Sequence, residues 1–185
     1  MKIVQITCVA LLLIIVGCKP TNSNTATSDK VDMTNKTIDI NELYQFYYSN
    51  PQTQDEKEEN QLIDYIVDQD LALTRSVSGL YYQITQEGTG SKIRPGDQLE
   101  VHYTGRFLDG KIFDSSVQRG TPLNFKLGTT GLIQGWLEGL RYMKQGSKMK
   151  LVVPSRLAYQ DKGFTNMIQP NTPLTFEMEI VSVNK

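Results

Sequence analysis

Hydrophobic positions divide the chain into stretches of different period. Residues 9–16 are uninterrupted apolar, with Lys2 ahead of them and Gly17 and Cys18 directly behind. Residues 3–16 are too few, and too polar at Gln5 and Thr7, to span a bilayer core, which takes about 20 apolar residues in a helix. A basic start, a short apolar run and small residues at its end read instead as an export signal over residues 1–17. Residues 18–37 are rich in Thr, Asn, Ser and Lys and poor in large apolar side chains, the composition of a flexible tether.

Helical spacing follows. Leu43, Tyr44 and Tyr47 recur at about one turn and predict a helix within residues 38–48, which Asn50-Pro51 ends. Thr53-x-x-Glu56 has the form of a capping box, with acidic residues crowding the first turn, so a second helix starts near Thr53. Along it Ile63, Val67 and Leu71 form a stripe every four residues, flanked by Leu62, Ile66 and Leu73. So broad an apolar face needs cover, either from the domain that follows or from a second copy of the chain; the first is the ordinary solution. Residues 38–75 thus read as a helical extension.

From Leu80 the period shortens to two. Residues 80–85, 98–106, 123–127, 149–153 and 174–183 read as strands punctuated by Gly and Pro. In the last of these Phe176, Met178 and Ile180 share one face and Glu177 and Glu179 the other. One helical stretch, residues 133–141, interrupts the series. The fold class expected is α+β, an antiparallel sheet with a single short helix against one face, occupying residues 76–185 behind the N-terminal helices.

Composition narrows the chemistry. With 39% apolar and 21% charged residues in 185, the chain is neither collagen-like, wholly disordered nor a multi-span membrane protein. Net charge is −1, which gives no general attraction for nucleic acid. One His and two Cys cannot build a zinc finger or a disulfide framework, so no metal or cofactor is expected. Charge is uneven, though: residues 29–75 hold eleven acidic and four basic side chains, and residues 76–185 nine acidic and thirteen basic. An acidic helix beside a mildly basic domain accounts for this as well as two mutually attracting regions do.

Ile15-Val16-Gly17-Cys18 resembles the bacterial lipobox, in which cleavage precedes a cysteine that carries lipid; Ile15 stands where Leu is usual. The alternative is a plain signal peptide that contains a cysteine. The lipobox implies a mature chain that begins at an acylated Cys18, has lost Cys8, and is held at a membrane of the bacterial cell envelope, facing the periplasm, without spanning it.

Four segments carry a family likeness: Val101-His102-Tyr103-Thr104-Gly105, Asp109-Gly110-Lys111-Ile112-Phe113-Asp114-Ser115-Ser116, Leu132-Ile133-Gln134-Gly135-Trp136-Leu137-Glu138-Gly139 and Val153-Pro154-Ser155-Arg156-Leu157-Ala158-Tyr159. Their order and spacing resemble the FKBP-type peptidyl-prolyl cis-trans isomerases, the macrolide-binding immunophilins, over roughly residues 78–183. The lipoprotein character adds a similarity to gliding-motility-associated members. The resemblance implies a half-open antiparallel sheet wrapped around one short helix and a pocket floored by Trp136. Its walls would be Tyr103, Phe113, Leu132, Ile133 and Phe176, with polar atoms from Asp114 and Tyr159, Arg119 and Leu123 at the rim, and Ile168 on a loop that overhangs it. It further implies proline-containing peptide or protein clients and macrolides such as rapamycin as ligands.

These residue types suit the chemistry. Rotation about a peptide bond meets a barrier of roughly 18–20 kcal/mol because it breaks amide resonance, and uncatalysed X-Pro isomerisation takes on the order of tens to hundreds of seconds. At the twisted geometry the amide is less polar, so an apolar box penalises the planar form more than the twisted one, with no nucleophile needed. Tyr159 would donate to the substrate carbonyl, and Asp114 would accept from Tyr103 and pair with Arg119. Any one of Tyr103, Phe113, Trp136 and Phe176 alone would be assigned to the core; together with Asp114 and Tyr159 they read as a pocket. His102, next to Tyr103 on a strand, points to the other face and takes no part.

The loop after Tyr159 departs from the family pattern. Gln160 replaces a glycine, Phe164 stands where a small or polar residue is usual, Met167-Ile168 keeps an apolar pair, and Gln169-Pro170 keeps only the second of two prolines. A second functional class also fits: an envelope chaperone or docking lipoprotein in which residues 38–73 supply the contact and the isomerase fold turns over little.

Overall fold

The computed structural model describes residues 38–185 except Thr130. The expected signal segment, Cys18 and the tether lie outside the described residues. No helix among the described residues is long and apolar enough to cross a membrane.

The extension opens with α1 (Ile40–Leu43), capped by the Asp39 carboxylate and continued as a 3-10 turn over Tyr44–Phe46. This is shorter than the helix expected over residues 38–48. Leu43 is buried, but Tyr44 and Tyr47 are exposed, because four residues of α-helix cannot hold three side chains on one face. Helix α2 (Gln54–Asp68) starts where its capping box requires: Thr53 accepts from the Glu56 N–H and the Glu56 side chain accepts from the Thr53 N–H. It ends at Asp68, so Leu71 and Leu73 continue the apolar stripe from the following turn rather than from the helix.

All seven strands join one antiparallel sheet. They are β1 (Thr74–Arg75), β2 (Tyr81–Gln86), β3 (Gln98–Phe107), β4 (Ile112–Ser115), β5 (Leu123–Lys126), β6 (Lys148–Val153) and β7 (Leu174–Asn184), in the order β1-β2-β6-β7-β3-β4. The edge of β3 is shared: its first half pairs with β5 and its second half with β4. The five strands anticipated from periodicity are present within a residue or two. β1 and β4 were not anticipated, since two and four residues are too short to display alternation. Between β4 and β5 lies the one-turn helix α3 (Ser116–Arg119), also not anticipated.

The two faces of the sheet are covered differently. On the inner face Leu99, Val101 and Tyr103 of β3, Met149, Leu151 and Val153 of β6, and Phe176, Met178 and Ile180 of β7 form the main core with Trp136 and Leu140. Those last two sit on α4 (Gln134–Gly139) and the 3-10 turn that continues it. A Cβ on Gly135 would stand 2.6 Å from Val153 Cγ1, so only glycine lets α4 lie this close to β6. On the outer face Tyr81 of β2 and Val152 of β6 form a second cluster with Leu43, Leu62, Ile63, Ile66 and Leu73, so the apolar side of α2 is covered by the sheet itself. The rest of that face is polar, with Lys148 3.2 Å from Glu179 and Lys150 4.0 Å from Glu177.

Candidate functional site

Strand alternation alone places Tyr103 and Phe176 inward, while His102 faces away and meets the Ser116 hydroxyl at 3.1 Å. Phe113 and Asp114 need more, because neighbours on a regular strand point to opposite faces. In β4 the register slips: Asp114 pairs with Gly105 and Ile112 with Arg106, leaving Phe113 as an extra residue between them. Such a bulge re-aims side chains, and here both Phe113 and Asp114 line the same hollow. Opposite them Gly105 makes room. A Cβ there would lie 2.5 Å from Phe113 Cζ and 3.0 Å from a Phe176 ring carbon.

The hollow has a volume of about 110 Å³, and besides Tyr103, Phe113, Asp114, Trp136 and Phe176 it is lined by Leu123, Leu132, Ile133, Tyr159 and Gly131. Nine of the eleven residues expected at the pocket therefore meet in one place. Gly131 completes the lining; without a side chain it gives no chemical signal in the sequence. Arg119 does not line the hollow but stands at its edge, bonded to Asp114. Ile168 does not line the hollow: it is 2% exposed and packed into the main core, and its carbonyl and N–H bond back to Phe164.

The walls are aromatic and mutually perpendicular. Trp136 meets Tyr103 at 5.0 Å and 80°, and Phe176 at 5.5 Å and 84°; Phe176 meets Phe113 at 5.7 Å and 89°. Edge-to-face contacts of this kind lock ring orientation beyond what area burial alone achieves. Trp136 is 4% exposed, and its Nε1–H has no hydrogen-bond partner among the described residues. A sixth ring was not anticipated as part of the site: Phe164, from the altered loop, stacks on Tyr159 at 4.8 Å and 23°. Gln160, in place of the family's usual glycine, takes φ of +57°, so the backbone keeps the left-handed turn without the residue that adopts it freely.

Polar atoms converge at one end. The Tyr103 hydroxyl donates to Asp114 Oδ2, Arg119 donates to Asp114 Oδ1, and the same guanidinium lies 3.1 Å from the Tyr103 oxygen. Burial works to raise the Asp114 carboxyl, but hydrogen bonds from Tyr103 and Arg119 and the Arg119 charge outweigh it and hold the group below the usual carboxylate range. Burial, and then the bond to Asp114, push the Tyr103 phenol up. Burial and the Asp114 charge do the same to Tyr159, whose hydroxyl bonds no other described residue. At neutral pH the site therefore presents a fixed carboxylate, an arginine and a free phenolic donor around an apolar cup.

Comparison with known proteins gives a consistent result. Residues 89–181 match the family described as FKBP-type peptidyl-prolyl cis-trans isomerase. The chain is 44% identical over 107 residues to a probable FKBP-type peptidyl-prolyl cis-trans isomerase of Haemophilus influenzae, a match covering 58% of this chain and 44% of that protein. It is 44% identical over 106 residues to FK506-binding protein 2 of Yarrowia lipolytica, covering 57% of this chain and 74% of the relative. Among solved structures the crystal structure of FkpA from Escherichia coli aligns with a TM-score of 0.62 and 38% identity, over 70% of this chain and 61% of that one. The chain thus spans under half the length of the Haemophilus relative.

Proposed function

The chain belongs to the FKBP-type peptidyl-prolyl cis-trans isomerase family, and from that premise we propose that it accelerates rotation about X-Pro peptide bonds, without covalent intermediates, in the hollow beneath Tyr159. One observation carries this reading: Tyr103, Phe113, Asp114, Trp136, Tyr159 and Phe176 line a single cup. At about 110 Å³ the cup is far roomier than the roughly 10–15 Å³ that a single water needs, so it can admit a small apolar group.

Catalysis follows from what the cup treats differently in the two states. A planar amide is strongly solvated; inside aromatic walls it loses that solvation, whereas the twisted amide, with its reduced charge separation, loses less. Each 1.36 kcal/mol of such a difference is tenfold in rate. Trp136 floors the site for the prolyl ring, and Phe113 and Phe176 flank it. Tyr159 donates to the carbonyl oxygen before proline and holds it while the prolyl side turns. Asp114 is kept ionised by Tyr103 and Arg119, so its field is fixed before substrate arrives and nothing must reorganise during the turn.

The substrates on this reading are proline-containing peptides or proteins, with macrolides such as rapamycin as competitors for the same cup. The Gly17-Cys18 motif supports an envelope lipoprotein, anchored through Cys18, facing the periplasm and similar to gliding-motility-associated members. A second reading, a chaperone or docking role for the extension, is favoured by one feature: Ile40, Tyr44, Phe46, Tyr47 and Tyr48 are all exposed within nine residues. A protease-coupled assay of a short prolyl peptide tests the first reading. Acceleration abolished by rapamycin and by Phe113→Ala is the expected result; no acceleration above the thermal rate refutes it. If refolding of a proline-free client survives Phe113→Ala, the second reading gains.

A further inference from the structure

Besides packing on the sheet, the extension touches the turn that leads to Tyr159 through a buried carboxylate. Glu58, on α2, lies 97 residues from Ser155 in sequence, yet its Oε1 accepts the Ser155 N–H at 2.5 Å. Both residues are 4% exposed. Glu58 also lies outside the stretch, residues 89–181, that matches the family.

The position of that N–H gives the contact its meaning. Ser155 heads the 3-10 turn Ser155–Leu157 that leaves β6 and delivers Tyr159 to the hollow. Within the turn the Leu157 N–H bonds the Pro154 carbonyl and the Ala158 N–H bonds the Ser155 carbonyl. The Ser155 N–H, at the open end of so short a turn, has no carbonyl of the turn to reach, and the Glu58 carboxylate satisfies it. The turn is held from the other side by α4, where the Cβ absent from Gly135 would come within 3.5 Å of the Leu157 carbonyl. A second link from outside the family stretch grips α4 itself: the Ser78 hydroxyl donates to Glu138 at 2.5 Å.

Glu58 is an expensive way to satisfy one N–H. Its Oε2 has no hydrogen-bond partner among the described residues, and burial pushes the carboxyl above its ordinary range while the bonds to Ser155 pull it down. An acidic side chain placed in the core with half its capacity unused needs a reason beyond packing.

We propose that Glu58 is a positioning residue for prolyl isomerisation: by holding the Ser155 N–H it sets the turn that carries the Tyr159 hydroxyl over the hollow. The helical extension is then a working part of the site. This rests on the role assigned to Tyr159 above, and the test separates the two. In the full chain, Glu58→Ala should lower kcat/KM for a prolyl peptide roughly two- to tenfold, as much as losing the Tyr159 hydroxyl bond itself, since small misplacements of a positioning group are enough to forfeit it. Glu58→Gln, which keeps an acceptor for Ser155, should restore it. Ser155→Pro removes the backbone donor together with the hydroxyl, at a helix-start position that tolerates proline, and should reproduce the Glu58→Ala loss, whereas Ser155→Ala, which keeps the N–H, should not. Glu58→Ala combined with Tyr159→Phe should be no worse than the weaker single variant. Amide exchange decides independently of turnover: Leu157 and Ala158 should lose protection in Glu58→Ala while the β3 and β7 amides keep theirs. Unchanged protection at Leu157 and Ala158, fully additive losses, or failure of Glu58→Gln to rescue each overturns the proposal. A wild-type chain that does not accelerate prolyl rotation overturns the isomerase reading instead, and the exchange arm still decides whether Glu58 holds the turn.

Discussion

Tyr159→Phe separates catalysis from stability more cleanly than any other change at this site. The hydroxyl bonds no other described residue, so its removal breaks no internal hydrogen bond. The ring stays, with its stack on Phe164 and its place in the wall of the hollow. A change that leaves no cavity and no orphaned partner falls within about 0.5 kcal/mol of the parent, a shift of roughly 1–2 °C in Tm for a chain of this size. On the proposed mechanism the variant should lose the bond to the substrate carbonyl, a neutral interaction of about 0.5–1.5 kcal/mol. At 1.36 kcal/mol per tenfold, kcat/KM should fall roughly two- to tenfold. The protease-coupled prolyl peptide assay gives the first number and thermal or urea unfolding of the same preparation the second. Unaltered kcat/KM would refute the donor role. A fall in turnover matched by a fall in stability of more than about 1 kcal/mol would show the hydroxyl acting in the fold instead.

Other outcomes follow from the same geometry. Turnover should be level between about pH 5 and pH 9, because Asp114 titrates below the ordinary carboxylate value near 3.9 and Tyr159 above the phenol value near 10; a limb inside that interval refutes the assignment. With its folded pKa depressed, Asp114 adds stability that is present above its unfolded value and lost as pH falls through the folded one. That loss should be small, since the Arg119–Asp114 side chains are 50% and 39% exposed, and it should vanish in Asp114→Asn when acid unfolding curves are compared. Gly105→Ala should cost about 1–3 kcal/mol and most of the turnover, because the new methyl displaces the Phe113 ring; wild-type kinetics would show that ring to be unimportant. Glu59→Ala should destabilise the chain by about 1–3 kcal/mol in urea, since it takes the carboxylate from the part-buried Arg75 guanidinium at 3.0 Å and from the buried Tyr81 hydroxyl at 2.6 Å and leaves those two only their 3.2 Å bond to each other, while leaving prolyl turnover intact under folding conditions.

Much of the site was legible because its residues signal in the right currency. Alternation places Tyr103 and Phe176 on inner faces, a capping box announces α2, and the spaced motifs around Phe113, Trp136 and Tyr159 join segments that periodicity alone cannot bring together. What escaped notice is tertiary. The slip that turns Phe113 and Asp114 to the same side involves one residue in a four-residue strand, below the length at which a pattern shows. The pairing of Phe164 with Ile168 across the loop, which seats Ile168 in the main core, has no signature in the string of letters. Phe164 is unusual for its position in the sequence, but its stack on Tyr159 exists only once the loop folds back. Glu58 read as one of several acids on a solvated helix, and nothing local reveals that an amide 97 residues away needs it.

The slip in β4 has a consequence for how this protein can vary. Residues 108–111, at the tip of the β3–β4 hairpin, carry no wall of the cup, so additions there leave the chemistry alone. Loss of a single residue between 112 and 114 would restore plain alternation and rotate either the ring or the carboxylate outward into water. Length is therefore free at the hairpin tip and rigidly counted a few ångströms away, and related chains that keep the activity should differ in the first and agree in the second.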